Sequence, residues 1–417
     1  DMAKGYDAAY QAARSQYSAN LAKADQGKAA LLPGVALSGS ATRSAREVDP
    51  TPNPVATNYS YTTQSLGVNA TQPLYRPANL ATYRQSQKGL ALAEAALQQA
   101  EQELIVRVSQ AYFDVLSAQD SLAFVQAQKT AVAEQLASAK RNFEVGTATI
   151  TDTREAQARF DLVTAQEIAA DNDLRVKTVA LELLVGKSGL QPKRLQTGQA
   201  LPPLEGQSAD NWIAQSEQAH PSIALARANL DIARLETEKA VAGHKPTLDL
   251  TLGYNAQKNI NGTTLGLVST GNNQVNVASV GVNLSVPIFS GTATQNRIRE
   301  TVALEDKARQ DLDGAQRQVA QATRTAFLGL QSGLGQVKAY EAAEASSQVA
   351  LDANKLGYQV GVRINIDVLN SQSQLYQTKR DLAKARYDVL VGQLKLRQAA
   401  GVLKAQDLQS INALLAP

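Results

Sequence analysis

The chain has 417 residues, 19% of them charged and 5% aromatic, and its 41 basic and 38 acidic side chains give a net charge of +3, too balanced for an electrostatic nucleic-acid binder. It holds no Cys and two His, which excludes disulfides, thiolate catalysis, Cys-ligated zinc and an acylated cysteine in this sequence and leaves little for histidine-centred chemistry. No stretch reaches the roughly 18 uninterrupted apolar residues of a transmembrane helix, so a membrane role needs strands.

Residues 1–30 are Ala-rich and read as helix; the opening Asp1-Met2-Ala3-Lys4 fits a mature exported chain or a cytosolic one. Leu32-Pro33-Gly34 stops that helix. Period two then takes over: Val35, Leu37 and Ala41 alternate with Ala36, Ser38 and Ser40, predicting a strand over about 31–45. Leu66, Val68 and Ala70 alternate with Gly67, Asn69 and Thr71, predicting a second over about 60–75. The connection 46–59 is polar and carries Pro50, Pro52 and Pro54.

A long helix follows over about 78–145. Its apolar or small positions Leu104, Val108, Ala111, Val115, Ala118, Leu122 and Val125, then, past Lys129, Val132, Leu136, Ala139 and Phe143, are spaced four, three, four, three. That is a coiled-coil seam, and the helix would span roughly 100 Å. A turn at Gly146 leads to a helix over about 149–187, and residues 188–210, with Pro192, Pro202 and Pro203, form a linker.

The same order then returns. A helix from 211 precedes strands over about 246–259 and 274–289, in which Leu248, Leu250, Leu252 and Tyr254, and later Val280, Val282, Leu284 and Val286, mark one face. A polar connection, 261–273, separates them. A long helix over about 292–360, a turn at Gly361, a helix over about 364–402 and a tail 403–417 complete the chain. An offset of 215 residues joins Gly146 to Gly361, Asp152 to Asp367, Tyr112 to Phe327 and Gly186 to Gly401. Nearby offsets join Pro73-Leu74-Tyr75 to Pro287-Ile288-Phe289 and Leu32-Pro33 to Lys245-Pro246. The chain reads as two copies of one unit, 1–187 and 211–402.

Four amphipathic strands can form a small sheet packed on a helix, as in a soluble periplasmic coiled-coil scaffold or adaptor without channel activity. They can also cross a bilayer. Their length suits a tilted membrane strand, and Tyr59, Tyr61, Tyr75, Tyr254 and Phe289 fall near the strand ends, where an interfacial aromatic belt sits. Four strands cannot close a barrel, and open edges are not tolerated in hydrocarbon, so the membrane reading requires several chains. Two chains give eight strands and a filled interior; three give twelve and room for an aqueous lumen.

Ala111-Tyr112-Phe113, the turn Phe143-Glu144-Val145-Gly146-Thr147-Ala148-Thr149-Ile150-Thr151-Asp152, and Tyr358-Gln359-Val360-Gly361-Val362-Arg363-Ile364-Asn365-Ile366-Asp367-Val368-Leu369 resemble the TolC-type outer-membrane efflux ducts, as do Leu375-Tyr376 and Ala385-Arg386-Tyr387. The resemblance covers nearly the whole chain. It implies a mixed α/β membrane protein, a homotrimer whose twelve-stranded barrel in outer-membrane lipid continues as a twelve-helix tunnel through the periplasm. Residues 188–210 and the tail would belong to an equatorial belt, and the barrel would be the membrane attachment. The implied function is the exit duct of a tripartite efflux pump or type I secretion system, exporting small molecules or proteins, without enzymatic activity or cofactor. Its partners would be a periplasmic adaptor and a proton-driven or ATP-driven inner-membrane transporter.

The resemblance also assigns residues. Thr151 and Asp152 would pair with Tyr358 and Arg363 to hold a periplasmic gate shut, with Gln135 contributing, and three copies of Asp367 would form an acidic ring at the constriction. Converging carboxylates of that kind attract cations and raise one another's proton affinity. One turn later stands Asn370, where a second acidic ring is expected, and Lys355 stands where an acidic partner is expected, so the cation filter should be weaker here. Val145-Gly146-Thr147 and Val360-Gly361-Val362 would receive the adaptor. From the residues alone, Asp152 reads as a helix N-terminal charge and the two triplets as tight turns.

Other chemistry is thin. Gly186-Lys187-Ser188 imitates the end of a phosphate-binding loop, but Leu181 replaces the required glycine. His220, before Pro221, and His244 have no neighbours suited to a metal and default to the surface. No nucleophile, base and orienter set is present.

Overall fold

A computed structural model describes residues 2–48, 57–196, 201, 208–261, 263–265 and 268–415. Pro50, Pro52, Pro54, Pro202 and Pro203, named above as linker signals, lie outside them, as does part of the connection 261–273. The chain divides into two compact units. One comprises Asp1–Gln16, Ala93–Ala226 and Leu312–Pro417; the other comprises Tyr17–Leu92 and Arg227–Asp311.

In chain order the elements are α1 (Met2–Tyr6), α2 (Ala8–Ala29), β1 (Gly34–Val48), β2 (Thr57–Tyr75), α3 (Pro77–Glu144), α4 (Ile150–Val185), α5 (Ala209–Ala219) and α6 (Pro221–Ala242). Then come β3 (Thr247–Ile260), β4 (Thr263–Leu265), β5 (Val268–Thr270), β6 (Asn273–Ser285), α7 (Ala293–Gln359), α8 (Asn365–Ala399) and, after a 3-10 turn at Ala405–Asp407, α9 (Leu408–Asn412). Among the described residues no helix is long and apolar enough to cross a membrane.

In the strand-bearing unit, β1, β2, β3 and β6 form an antiparallel sheet in that order, so β1 and β6 are its edges. Strand register puts Leu37 opposite Val68, Val68 opposite Tyr254, and Leu252 opposite Val280. One face therefore carries Val35, Leu37, Leu66, Val68, Leu252, Tyr254, Val280, Val282 and Leu284, all exposed in the single chain. Apart from Val275 and Val277 of β6, the other face is small and polar: Ser38 lies opposite Gly67, Asn69 opposite Gly253, and Thr251 opposite Gly281. Toward the β2–β3 end farthest from the helices, Thr63 donates to Asn259 Oδ1 (3.0 Å) and Asn259 Nδ2 donates to Asn273 Oδ1 (2.6 Å), a polar row across three strands. At the opposite end Arg76, between β2 and α3, forks onto the buried Asp249 of β3, with Nε to Oδ1 at 2.7 Å and Nη2 to Oδ2 at 2.6 Å.

Three differences from the sequence reading have local causes. Strand β6 stops at Ser285, short of 289, because Pro287 has no N–H for a ladder; Phe289 lies beyond it, exposed. Tyr254 lies in mid-strand rather than at an end. The helix expected over 1–30 is interrupted at Asp7, whose carboxylate caps Tyr10 N (2.8 Å) and pairs with Arg107 (2.9 Å).

Helix packing in the strand-bearing unit is polar. Gln85 of α3 donates to Glu236 of α6 (2.8 Å), Arg297 of α7 donates to the same carboxylate (2.7 Å), and Lys88 pairs with Asp231 (2.9 Å). The Gln85 amide and the Arg297 guanidinium together hold Glu236 below the usual carboxylate range.

The other unit has an apolar core. Ile105, Phe113 and Leu116 of α3 pack with Tyr387, Leu390 and Leu394 of α8, and Leu403 and Ile411 of the tail close over them. Burial, reinforced by the hydrogen bond from its hydroxyl to Asp120 Oδ2 (2.6 Å), pushes the Tyr387 phenol up. Leu195 bridges to Leu415, and Gln196 N donates to Leu414 O (3.0 Å), so the linker and the tail meet on this core. The duplication is visible in the packing. Gly186 (φ 72°) and Gly401 (φ 74°) end α4 and α8 in the left-handed region; a Cβ would lie 2.4 Å from the Tyr6 ring at the first and 2.4 Å from His220 Cα at the second. Gly186 thus belongs to a helix stop, and His220 is half-buried rather than at the surface, its pKa pulled down by burial.

Removing the guanidinium fork in Arg76→Ala leaves the Asp249 carboxylate buried without its two N–H donors, and Arg76→Lys restores the charge but not the fork. Melting in detergent should fall in the order wild type, Lys, Ala. Equal melting of all three would show that the pair does not hold the strand–helix junction.

Candidate functional site

Both helix-reversal turns lie in the unit with the apolar core, and both close in the same way. After α3, Gly146 takes φ 78°, and the N–H groups of Thr147 (2.8 Å) and Ala148 (3.1 Å) return to Asn142 O. After α7, Gly361 takes φ 77°, and Val362 N (2.9 Å) and Arg363 N (3.0 Å) return to Gly357 O. The free carbonyls of each helix end are satisfied by a glycine-dependent cap. Val145, Val360 and Val362 project from the turns at 66–79% exposure.

Between the turns is a polar cleft of about 650 Å³, lined by Gln135, Asn142, Thr147, Asp152, Lys355, Tyr358, Gly361, Arg363 and Asn365 among others. Its central tie is Asn365, fully buried in the first turn of α8. The Asn365 amide donates to Asp152 O of α4 (3.3 Å), and its Oδ1 accepts from Gln135 Nε2 of α3. A second tie runs from Asn142 Nδ2 to the Tyr358 hydroxyl (3.3 Å), joining the ends of α3 and α7.

The structure thus brings Gln135, Asp152, Tyr358 and Arg363 to one cleft, and within the single chain their bonds run to other partners. Asp152 forms a capping box instead: its carboxylate accepts from Thr149 N (3.0 Å) and Thr149 Oγ1 (2.7 Å), and its own N–H donates to Thr149 Oγ1 (3.2 Å). This capping box satisfies free N–H groups at the start of α4. Within the chain Arg363 reaches Asp367 (3.7 Å) one turn on, and its stem folds over Gly357, where a Cβ would lie 2.7 Å from Arg363 Cγ. Thr151 is exposed. Asn370 accepts from Arg159 of α4 (2.8 Å). Asp367 is half-buried, and Lys355 is exposed at the cleft. Among the described residues no group of His, Cys, Asp or Glu could hold a metal ion.

Asn365 and Asn142 escaped the sequence reading. Asn365 is legible in hindsight, because it lies seven residues before Gln372 on the buried face of α8; Asn142 has no such signal.

A family model described as outer membrane efflux protein matches residues 2–187 and 212–402. The outer membrane protein TolC of Vibrio cholerae is 36% identical over 349 residues, 84% of this chain and 79% of the relative. The alkaline protease secretion protein AprF of Pseudomonas aeruginosa is 33% identical over 415 residues, 98% of this chain and 84% of the relative. The solved structure of the outer membrane protein VceC of Vibrio cholerae matches with a TM-score of 0.80 at 19% identity, covering 96% of this chain and 94% of that one; this likeness speaks to the fold alone.

Asn365→Ala removes both hydrogen bonds of this buried amide at once, to Gln135 and to Asp152 O, and leaves the Asn142–Tyr358 tie in place, a loss of about 1 kcal/mol. Amide hydrogen exchange in the first turns of α8 should accelerate accordingly, and unchanged exchange would show that Asn365 is not the tie.

Proposed function

We propose that this chain, which belongs to the outer membrane efflux protein family, assembles as three identical subunits with a periplasmic adaptor and an inner-membrane transporter. It is an outer-membrane exit duct and not an enzyme. The observation that carries the trimer is the sheet. Its two edges are unpaired, and one face carries an exposed apolar band nearest the helices that gives way to Gln64, Lys258 and Gln274 toward the far end, an arrangement that hydrocarbon accepts only in a closed barrel. Two copies would fill their own interior with side chains, whereas three leave a lumen. The small, polar face would line that lumen. In water, as a soluble scaffold, the apolar face would be a large uncovered patch.

The cleft between the turns is the gate in this reading. Asn365 and Tyr358 hold α7 and α8 to α3 and α4, Arg363 restrains Asp367, and three copies of Asp367 form the acidic ring. The exposed valines at 145, 360 and 362 receive the adaptor, with Gly146, Thr147 and Gly361 shaping their turns. A passive lumen carries no cargo pocket, so small-molecule and protein export share one geometry, and the transporter selects between them.

In planar bilayers Asp367→Ala should lower cation selectivity; selectivity equal to wild type would remove the acidic ring from the account. Arg363→Ala and Tyr358→Phe should raise conductance and the uptake of large antibiotics, and wild-type values of both would contradict the gate. Extraction should require detergent and yield an oligomer resistant to dodecyl sulfate, whereas a buffer-soluble monomer would favour the scaffold.

A further inference from the structure

Amides interrupt the core between α3 and α8. The sequence spacing puts Lys129 near the seam, but in the structure the seam steps from Val125 to Gln128 to Val132, and Lys129 turns out to Glu167 (2.7 Å). Gln128 and, on α8, Gln372 are each 3% exposed. Seven residues nearer the tip on each helix stand Gln135 and Asn365, so two amide layers lie one heptad apart. On α3 and α8 the helical neighbours of these amides are apolar and no more than 3% exposed: Val125, Val132 and Leu369 share one buried cluster, and Val368 and Leu375 share another with Leu351 of α7.

The two layers differ in how they are satisfied. The tip layer is paired, Gln135 to Asn365 and Asn365 to Asp152. In the inner layer Gln128 Nε2 donates to Ser373 Oγ (3.2 Å), but Oε1 of Gln128 and Oε1 of Gln372 are buried with no hydrogen-bond partner in the protein. Leu or Ile here would be the more stabilising choice, and a structural coiled coil keeps a buried amide only where it fixes register. A buried carbonyl without a donor carries a desolvation cost while α8 is seated on α3, and that cost disappears when separation admits water. An apolar pair of the same length would carry none.

We infer that Gln128 and Gln372 form a release layer, a pair of positioning residues that lowers the cost of unseating the tip-ward part of α8 when the gate opens. The inference rests on the gate reading above. The tip layer latches; the inner layer makes the latch reversible.

The test uses the full-length oligomer in planar bilayers. Gln128→Met and Gln372→Met, which keep side-chain length and remove the carbonyls, are combined in the wild type and in Arg363→Ala. Oligomer melting should rise, and open probability in the Arg363→Ala background should fall about tenfold, the equivalent of about 1.4 kcal/mol. A merely structural role would raise melting and leave opening unchanged, which would overturn the release layer while Arg363→Ala still gates. If Arg363→Ala itself conducts like wild type, the gate reading fails and takes the release layer with it. Should the double variant fail to assemble, Gln372→Met alone is measured, with the same direction expected. Loss of assembly there would mark the amides as register determinants and overturn the inference.

Discussion

A β-sheet edge cannot face hydrocarbon, and the oligomer, its lumen and its lipid-facing surface all follow from that constraint. Each unpaired N–H or C=O in a bilayer costs several kcal/mol, and the sheet of this chain ends in two edge strands, β1 and β6. The alternation that made the strands legible also fixes which face meets lipid, because register carries Val35, Leu37, Leu66, Val68, Leu252, Tyr254, Val280 and Val282 to one side. A single chain therefore cannot be the functional unit. The demand for partners is built into the fold before any interface is considered, and copies of the same chain supply matching edges.

The second organising feature is the contrast between kinds of packing. In the strand-bearing unit the helices are tied by charge and amide pairs such as Glu236 with Gln85 and Arg297. In the other unit an apolar core of aromatic and aliphatic residues holds linker, tail and helices together. Near the turns that core gives way to amides: Asn365, Gln135, Gln128 and Gln372 occupy places where Val and Leu stand on either side. Amide contacts trade stability for directionality and for the ability to exchange partners with water. Rigidity away from the tip and exchangeable contacts at it are what a duct with a gate requires.

Much of this was legible in the sequence, and the reasons are physical. Period-two runs such as Val35, Leu37 against Ala36, Ser38 have one structural solution, and long four-three spacing has another, so fold class followed from pattern. Gly146 and Gly361 marked the turns because their φ values of 78° and 77° exclude most side chains. The side-chain pairings were not legible. Asp152 could answer Arg363 or its own helix end, and within the single chain it caps its own helix. The exchange of Lys129 for Gln128 in the seam escaped because one lost step in heptad spacing is invisible without a partner helix. The kinship to efflux ducts pointed to the two turns as the proposed gate, but the bonds within that cleft came from geometry.

The absence of cysteine, first read as an exclusion, makes the central claim directly testable. Ser279 on β6 and Ala36, Ser38 and Ser40 on β1 are edge-strand positions on the small, polar face. Ser279→Cys is combined in turn with a cysteine at each of the three β1 positions, and oxidation is carried out in intact outer membranes. If three copies close one barrel through these edges, at least one pair forms intermolecular disulfides, and denaturing electrophoresis shows a ladder that stops at the covalent trimer. Monomers alone, a ladder stopping at the dimer, or one continuing beyond three would contradict the shared barrel.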